Sequence, residues 1–320
     1  MARFIHSPVV KDESITAATT TTYDLPVNPL SFLLFTLKFL NVSVMATLAN
    51  AIATISKVEV LFKGSAVISL SGADLYANTC FNLGHEPLQN NVLITDNAVR
   101  SLCLPIMFGR LPYSPLECFP ASQRGSLQLQ VTWAATFTNL DNVVLQVESV
   151  ELPEATPQRF IKQTTLTKTP AATGDTDIEL PIGNPITSLT IFGTTIPTGS
   201  TATITVDQLK LLADNTELYY SLANYESLVG LNSIFFNPQI AWNSHVHVEN
   251  TAATYTQNAT TAAQQPDDSD ISQYLYLPFD IYDQGEYILQ TEGLASLILR
   301  ITAGDTNVIR VIPNELIIVK

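Results

Sequence analysis

The chain has 320 residues, 46% of them hydrophobic and 14% charged, with 15 basic against 29 acidic side chains and a net charge of −14. That composition excludes a disordered chain, and the length suits one large domain or two of roughly 150 residues. No Lys/Arg cluster is visible, which argues against a broad electrostatic grip on nucleic acid outside the short N-terminal arm, and no sequence-specific nucleic-acid partner is expected.

In chain order, residues 1–14 read MARFIHSPVVKDES. Arg3 is not followed by an apolar stretch, so the segment does not read as a secretory signal. Its first eleven residues carry Arg3, His6 and Lys11, a net-basic stretch at a terminus, and the segment is expected to be an N-terminal arm facing inward. Strands are expected near 16–24, 31–40, 57–62, 66–70, 100–108, 117–121, 126–138 and 142–152, eight in all. They are short, alternating in hydrophobicity and separated by Pro, Gly, Asn and Asp. The apolar run Leu30–Ile55 is long enough to span a bilayer. Lys38 would then sit near the apolar interior, which is costly, so the run reads as a buried strand followed by a short helix near 44–55.

The second half repeats the first. DLPVNPLSFLLF, from Asp24, returns as ELPIGNPITSLTIF, from Glu179, with Leu25 and Leu180 155 residues apart and only Gly183 extra. Four further matches follow in the same order: SKVEVLFKGSAVISL with DQLKLLADNTELYYSL, LCLPIMF with LYLPFDI, SLQLQVT with SLILRIT, and NVVLQVESVEL with NVIRVIPNELII. The second match predicts a hairpin in each half, turning at Lys63-Gly64 and at Asp214-Asn215. Each hairpin is followed by a short helix, within SGADLYANTC and ANYESLVGL. Val58 and Val60 should correspond to Leu209 and Leu211. The two Pro-flanked phrases belong at strand corners, because Pro cannot donate to a ladder.

The division expected is an arm over 1–14, a first eight-stranded jelly roll over 15–152 and a second over 153–320. The second carries a Thr-, Ala-, Asn- and Gln-rich surface insertion over 248–270. The fold class is thus all-β, two tandem jelly rolls with short helices. This arrangement resembles the double jelly-roll major capsid proteins of the adenovirus-hexon-like lineage, in the compact form of small tailless icosahedral phages and archaeal viruses. The resemblance rests on the repeated Leu-Pro/Asn-Pro phrase, the repeated LCLPIMF/LYLPFDI and the strand pattern from about Ile15 to Val319. It implies a virion structural protein with no catalytic residues and no cofactor, made in the host cytoplasm. It also implies a homotrimer of pseudo-hexagonal outline tiling an icosahedral shell. The expected partners are other copies, penton or minor capsid proteins and, through the arm, an internal membrane.

Other chemistries have candidate residues. His245 and His247 with Glu249 resemble part of a cupin metal motif, but the Glu lies too close and no His follows; His6 and His85 are dispersed. Asp267, Asp268 and Asp270 could ligate Ca²⁺, yet the Gly and distal Glu of an EF-hand are missing. Asp24 and Glu179 are repeat-equivalent and should lie in different barrels, which argues against a glycosidase pair. Cys80, Cys103 and Cys118 lack metal spacing and read as buried thiols. A two-domain sandwich that binds carbohydrate or mediates adhesion is the alternative function, and would need exposed aromatics such as Trp133 or Trp242. No catalytic, cofactor-binding or metal-binding residue is nominated.

Overall fold

The computed structural model describes residues 3–43, 46–87, 89–90, 96–197, 202–235, 248–251, 254–257, 271, 273–281 and 285–319. For 89–90, 233–235, 248–251 and 254–257 only the backbone is described.

The first barrel comprises β1 (Ile5–Ser14), β2 (Thr20–Asp24), β3 (Leu30–Asn41), α1 (Leu48–Ala53), β4 (Ile55–Phe62), β5 (Ser65–Leu70), α2 (Gly72–Leu83), β6 (Gln89–Asn90), β7 (Val99–Met107), β8 (Leu127–Trp133) and β9 (Leu140–Glu151). Two sheets face each other. One runs β1-β9-β3-β7-β6; the other contributes β5-β4-β8-β2. Alternation sets the core. Phe35, Leu37 and Phe39 of β3 point in, and Thr36 and Lys38 point out. The apolar run 30–55 is strand β3 and the six-residue helix α1, and among the described residues no helix is long and apolar enough to cross a membrane.

The second barrel comprises β10 (Arg159–Thr164), β11 (Leu166–Lys168), β12 (Gly174–Glu179), β13 (Ile186–Gly193), β14 (Val206–Ala213), β15 (Thr216–Glu217), β16 (Ala223–Asn224), α3 (Tyr225–Phe235), β17 (Val248–Thr251), β18 (Thr254–Gln257), β19 (Tyr274–Pro278), β20 (Leu297–Ala303) and β21 (Ile309–Ile318). Its sheets are β10/β11-β21-β13-β19 and β12-β20-β14, with β15 and β16 both on the free side of β14. Apart from β6, which extends the first barrel beyond β7, and the division of the first strand into β10 and β11 and of the fifth into β15 and β16, this is the pairing scheme of the first barrel.

The repeated phrases fall on equivalent places. Both Leu-Pro/Asn-Pro corners join the second and third strands of a barrel, β2 to β3 and β12 to β13. Leu25 donates its N–H to Leu127, and Leu180 does the same to Leu297. The extra Gly183 adopts φ +101°, a conformation that L side chains rarely reach. Val58 and Val60 pair with Val131 and Leu129, as Leu209 and Leu211 pair with Ile301 and Leu299. The hairpin turns have positive φ at both residues, Lys63-Gly64 and Asp214-Asn215, as a tight turn matched to strand twist requires. Helices α2 and α3 follow, the former capped by the Ser71 hydroxyl accepting from the Asp74 N–H at 3.1 Å.

Three expectations need correction. Residues 5–14 are not a free arm: they form β1, hydrogen-bonded along β9, because the edge of a sheet supplies partners that a charged, Pro-containing strand still accepts. Residues 117–121 are no strand; they make single bridges, Phe119 to Leu30 and Glu117 to Arg159. Seven of the eight expected strands therefore form, and β1 with the two-residue β6 brings the first barrel to nine among the described residues. The LCLPIMF/LYLPFDI match lies on equivalent strands, β7 and β19, but slides by two. Pro105 faces Leu34, while Pro278 faces Ser188 rather than the equivalent Thr190. A two-residue slide keeps every side chain on its own face, so the sequence pattern does not reveal it.

The barrels join through one parallel contact, β5 with β10, where Gln163 faces Ile68 and Thr164 faces Ser69. Because these are topologically the fifth strand of one barrel and the first of the next, parallel pairing stands both barrels upright in the same direction. The connections β2–β3, β4–β5 and β7–β8, with the chain start, lie at one end. The C-terminal end of β14's partner β15 and helix α3 lead to the other end, where β19 begins.

Candidate functional site

The features that could act in assembly are the junction between the barrels and the faces left open. At the junction, α2 of the first barrel lies across the outer face of β21 and β13. Asp74, 1% exposed, is held by the Arg310 guanidinium through Nε at 3.0 and 3.1 Å and Nη2 at 2.8 Å. The Tyr274 hydroxyl donates to the same carboxylate at 2.8 Å and the Thr165 hydroxyl at 3.2 Å. Arg310 lies flat over the Phe192 ring, 3.6 Å from its centroid. Burial, then the Asp74 charge, pushes the Tyr274 phenol well above its usual range. It therefore stays a donor.

One turn on, Asn78 accepts from the Thr190 hydroxyl at 3.0 Å and contacts Asn314, and Phe81 stacks on Tyr276 at 5.1 Å. Ile312 and Tyr274 of the second half belong to the hydrophobic core of the first. Nearer the corner end, Arg110 is gripped by Glu117 and Asp280, with Arg159 3.3 Å from Glu117. Burial acts to raise the Glu117 carboxyl, but the hydrogen bonds and charge of Arg110, with Arg159, outweigh it and hold it below its ordinary value. Gly109 permits this loop, since a Cβ there would meet the Glu117 carbonyl oxygen at 2.0 Å.

The corners carry a second repeated device. Asn28 donates to Glu151 at 2.8 Å, and Asn184 donates to Glu315 at 3.2 Å. The first strand of each barrel completes the grip, with the Ser7 hydroxyl at 2.9 Å on Glu151 and the Lys162 ammonium at 2.8 Å on Glu315. Both carboxylates are buried and satisfied, which explains why Asn-Pro is part of the repeated phrase.

The open faces differ from the junction. On the outer face of β3, β7 and β9, Phe32, Met107 and Val150 form a separate buried apolar cluster with half-buried Leu34 packed against it, and the Tyr113 ring meets Phe32. Beside it, His6, Ser7, Pro8, Lys11, Asp12, Gln146 and Glu148 line an open groove of about 470 Å³. Across it His6 Nε2 lies 2.6 Å from Glu148. At the corner end of the barrels Phe4, Val27, Leu111, Tyr113, Leu116, Ile182 and Ile318 are exposed, and Phe4 and Phe32 both meet Tyr113 edge-on.

Residues singled out in the sequence do not converge. Asp24 and Glu179 end equivalent strands in different barrels. His6 lies on β1 and His85 just beyond α2. Cys80 and Cys118 are buried and Cys103 is half-buried. Trp133 is buried, its indole N–H given to Thr21 at 3.1 Å, so its face is closed to a sugar. His245, His247, Trp242, Asp267, Asp268 and Asp270 lie outside the described residues, as does the side chain of Glu249. Among the described residues no three His, Cys, Asp or Glu side chains converge as metal ligands would.

The junction residues Asp74, Asn78, Tyr274 and Arg310 were not singled out from the sequence. The available signals were polar residues on an otherwise apolar helix and an Arg inside an apolar strand.

No protein-family model and no curated protein matches the sequence. Solved structures do. The crystal structure of the STIV MCP matches with TM-score 0.67 and 11% identity, covering 99% of this chain and 97% of that one. The major capsid protein P2 from bacteriophage PM2 matches with TM-score 0.62 and 12% identity, covering 99% and 98%. The PBCV-1 virus capsid matches with TM-score 0.60 and 10% identity, covering 99% and 94%. With the strand pairing above, these likenesses establish the fold: the chain is a double jelly roll over nearly its whole length, built as those capsid proteins are.

Proposed function

We propose that this chain is the major capsid protein of an icosahedral virus, a structural and not a catalytic protein, and that three copies form a capsomer of pseudo-hexagonal outline. The observation that carries the reading is the parallel β5–β10 contact, which fixes two like barrels side by side and upright within one chain. Three such chains supply six barrels for a near six-fold lattice site while keeping three-fold symmetry.

The corner end, with its exposed Phe4, Leu111, Tyr113 and Leu116, faces inward, toward a membrane or minor proteins. The opposite end, with the insertion after α3, faces out. Penton and minor capsid proteins would meet the same shell. The protein thus resides in the virion after synthesis in the host cytoplasm.

Negative-stain electron microscopy of the purified protein tests the reading. Three-fold particles with six lobes are expected; monomers or two-lobed dimers at all concentrations overturn it.

A further inference from the structure

Resting on that reading, we infer that the capsomer closes by repeating, between copies, the contact that the chain already makes within itself: the groove along β1 and β9 of one copy receives segment Tyr219–Leu222 and helix α3 of the next.

Two sheet edges are joined inside the chain, β5 of the first barrel and β10 of the second. Their repeat counterparts are both at sheet edges. β15 and β16 flank β14 on the edge of the second barrel's sheet, and β1, ten residues long, is the edge of the first. A chain with one joined edge pair and one complementary open pair associates head to tail, and such contacts close into rings when the rotation permits. Long open edges are otherwise a hazard.

The registers give the partners. Leu70 pairs with Val58 as Ala223 pairs with Leu209, so Ser69 corresponds to Leu222. Glu151 pairs with Ile5 as Glu315 pairs with Lys162, so Thr164 corresponds to Ser7. Thr164 faces Ser69 inside the chain; Ser7 of one copy therefore faces Leu222 of the next. Pro8 takes the place of Thr165, whose N–H donates to Ser69, so the strand contact between copies has one hydrogen bond fewer.

The burial pattern fits a missing neighbour. In α2 every residue from Asp74 to Phe81 is buried between the two barrels, with Asp74, Asn78 and Phe81 meeting the second. In α3, Glu226, Ser227 and Val229 are exposed, and Tyr219 and Leu222 just before it are 53% and 58% exposed.

The receiving face has matching chemistry. The outward residues of the second barrel at the α2 junction are Ser188, Thr190, Phe192, Arg310, Ile312 and Asn314; their register equivalents on the first are Phe32, Leu34, Thr36, Gln146, Glu148 and Val150. Phe32 and Val150 are already buried within the chain, so Leu34, Thr36, Gln146 and Glu148, all half-buried, are the positions of this set that remain for a neighbour beside the groove. Charge agrees as well. Each helix has an acid in its first turn, Asp74 and Glu226. Arg310 meets the first, and Lys11 on the groove wall is placed for the second.

Cross-linking tests this in the full-length protein. With Ser7→Cys and Leu222→Cys in one chain, a short bismaleimide should give covalent dimers and closed trimers, whereas either single substitution should not. Leu222→Glu with Val229→Glu, both at exposed positions and harmless to the fold, should weaken trimerisation about tenfold per site by sedimentation. Unchanged circular dichroism would report the fold intact. A stable trimer that gives no cross-link and ignores both glutamates overturns this interface while leaving the shell reading in place. A native protein that never trimerises overturns both.

Discussion

Asp74→Ala should be among the most damaging single truncations at the barrel junction. It removes a carboxylate that is 1% exposed and leaves Arg310 and the Tyr274 hydroxyl without their acceptor. Breaking a buried ion pair from one side costs about 3–5 kcal/mol. The Arg310 side chain is 23% exposed, so water recovers part of that, and about 3 kcal/mol is expected. Arg310→Met leaves Asp74 with two hydroxyl donors, Tyr274 and Thr165, and keeps a side chain over Phe192; about 2–3 kcal/mol is expected. With both changes no lone charge remains. The double variant should cost about 3 kcal/mol, well short of the sum, for a coupling of about 2 kcal/mol. Urea unfolding followed by circular dichroism on the four proteins of the cycle measures it. Additivity within about 0.5 kcal/mol would refute the argument that this pair clamps the barrels.

Two further outcomes follow from ionisation and exposure. Glu117 is held below its ordinary value of 4.5, so the stability it adds is complete above that pH and is lost as the pH falls through the folded value; Glu117→Gln should flatten acid unfolding below about pH 4.5, and an unchanged acid limb would contradict the Arg110 contact. Burial pushes the Cys118 thiol up to about 11 and Cys80 higher still. Both should therefore resist iodoacetamide at pH 8 in the folded protein by mass spectrometry. Cys103, whose thiol lies on the outer face near Thr36 and Glu148, should label in Leu222→Glu monomers and be protected in trimers. Equal labelling of Cys103 in both would contradict the interface.

The duplication was legible because it is written in residues with narrow conformational roles. Pro26, Pro29, Pro181 and Pro185 end strands, and Lys63-Gly64 and Asp214-Asn215 turn them, so their order betrays the topology. Strand β1 was not legible. IHSPVVKDES has only Val10 buried, and a one-sided edge strand leaves almost no alternation to read. Segment 117–121 misled for the converse reason. Cys118 and Phe119 are buried by loop packing, which gives the apolar signature of a strand without its ladder. The Asp74–Arg310 clamp joins residues 236 apart, and no local pattern reports such a partner. Only Asn28 and Asn184 hinted at buried polar partners, because both stood inside the repeated phrase.

The two versions of the barrel contact differ in a way that follows from how each is held. Inside the chain the link from Leu152 to Gln158 keeps the barrels at high effective concentration. A buried cluster of Asp74, Arg310, Asn78, Thr190 and Asn314 can then persist despite its desolvation cost, since it needs only to fix orientation. Between copies the contact must also offset the lost freedom of whole subunits. There Ser188, Thr190, Phe192, Arg310, Ile312 and Asn314 correspond to Phe32, Leu34, Thr36, Gln146, Glu148 and Val150. The Asp74–Arg310 cluster has no counterpart at these positions, and because Phe32 and Val150 are already buried within the chain, the apolar area left to gain is on the entering segment, Tyr219, Leu222 and Val229. That shift moves the favourable free energy from directional hydrogen bonds, which need the geometry already set, to burial, which does not. The covalent junction therefore supplies the angle, and the exposed apolar side chains of the entering segment supply the association. Duplication allowed this division of labour, because a single barrel used six times would have to make both kinds of contact with one surface.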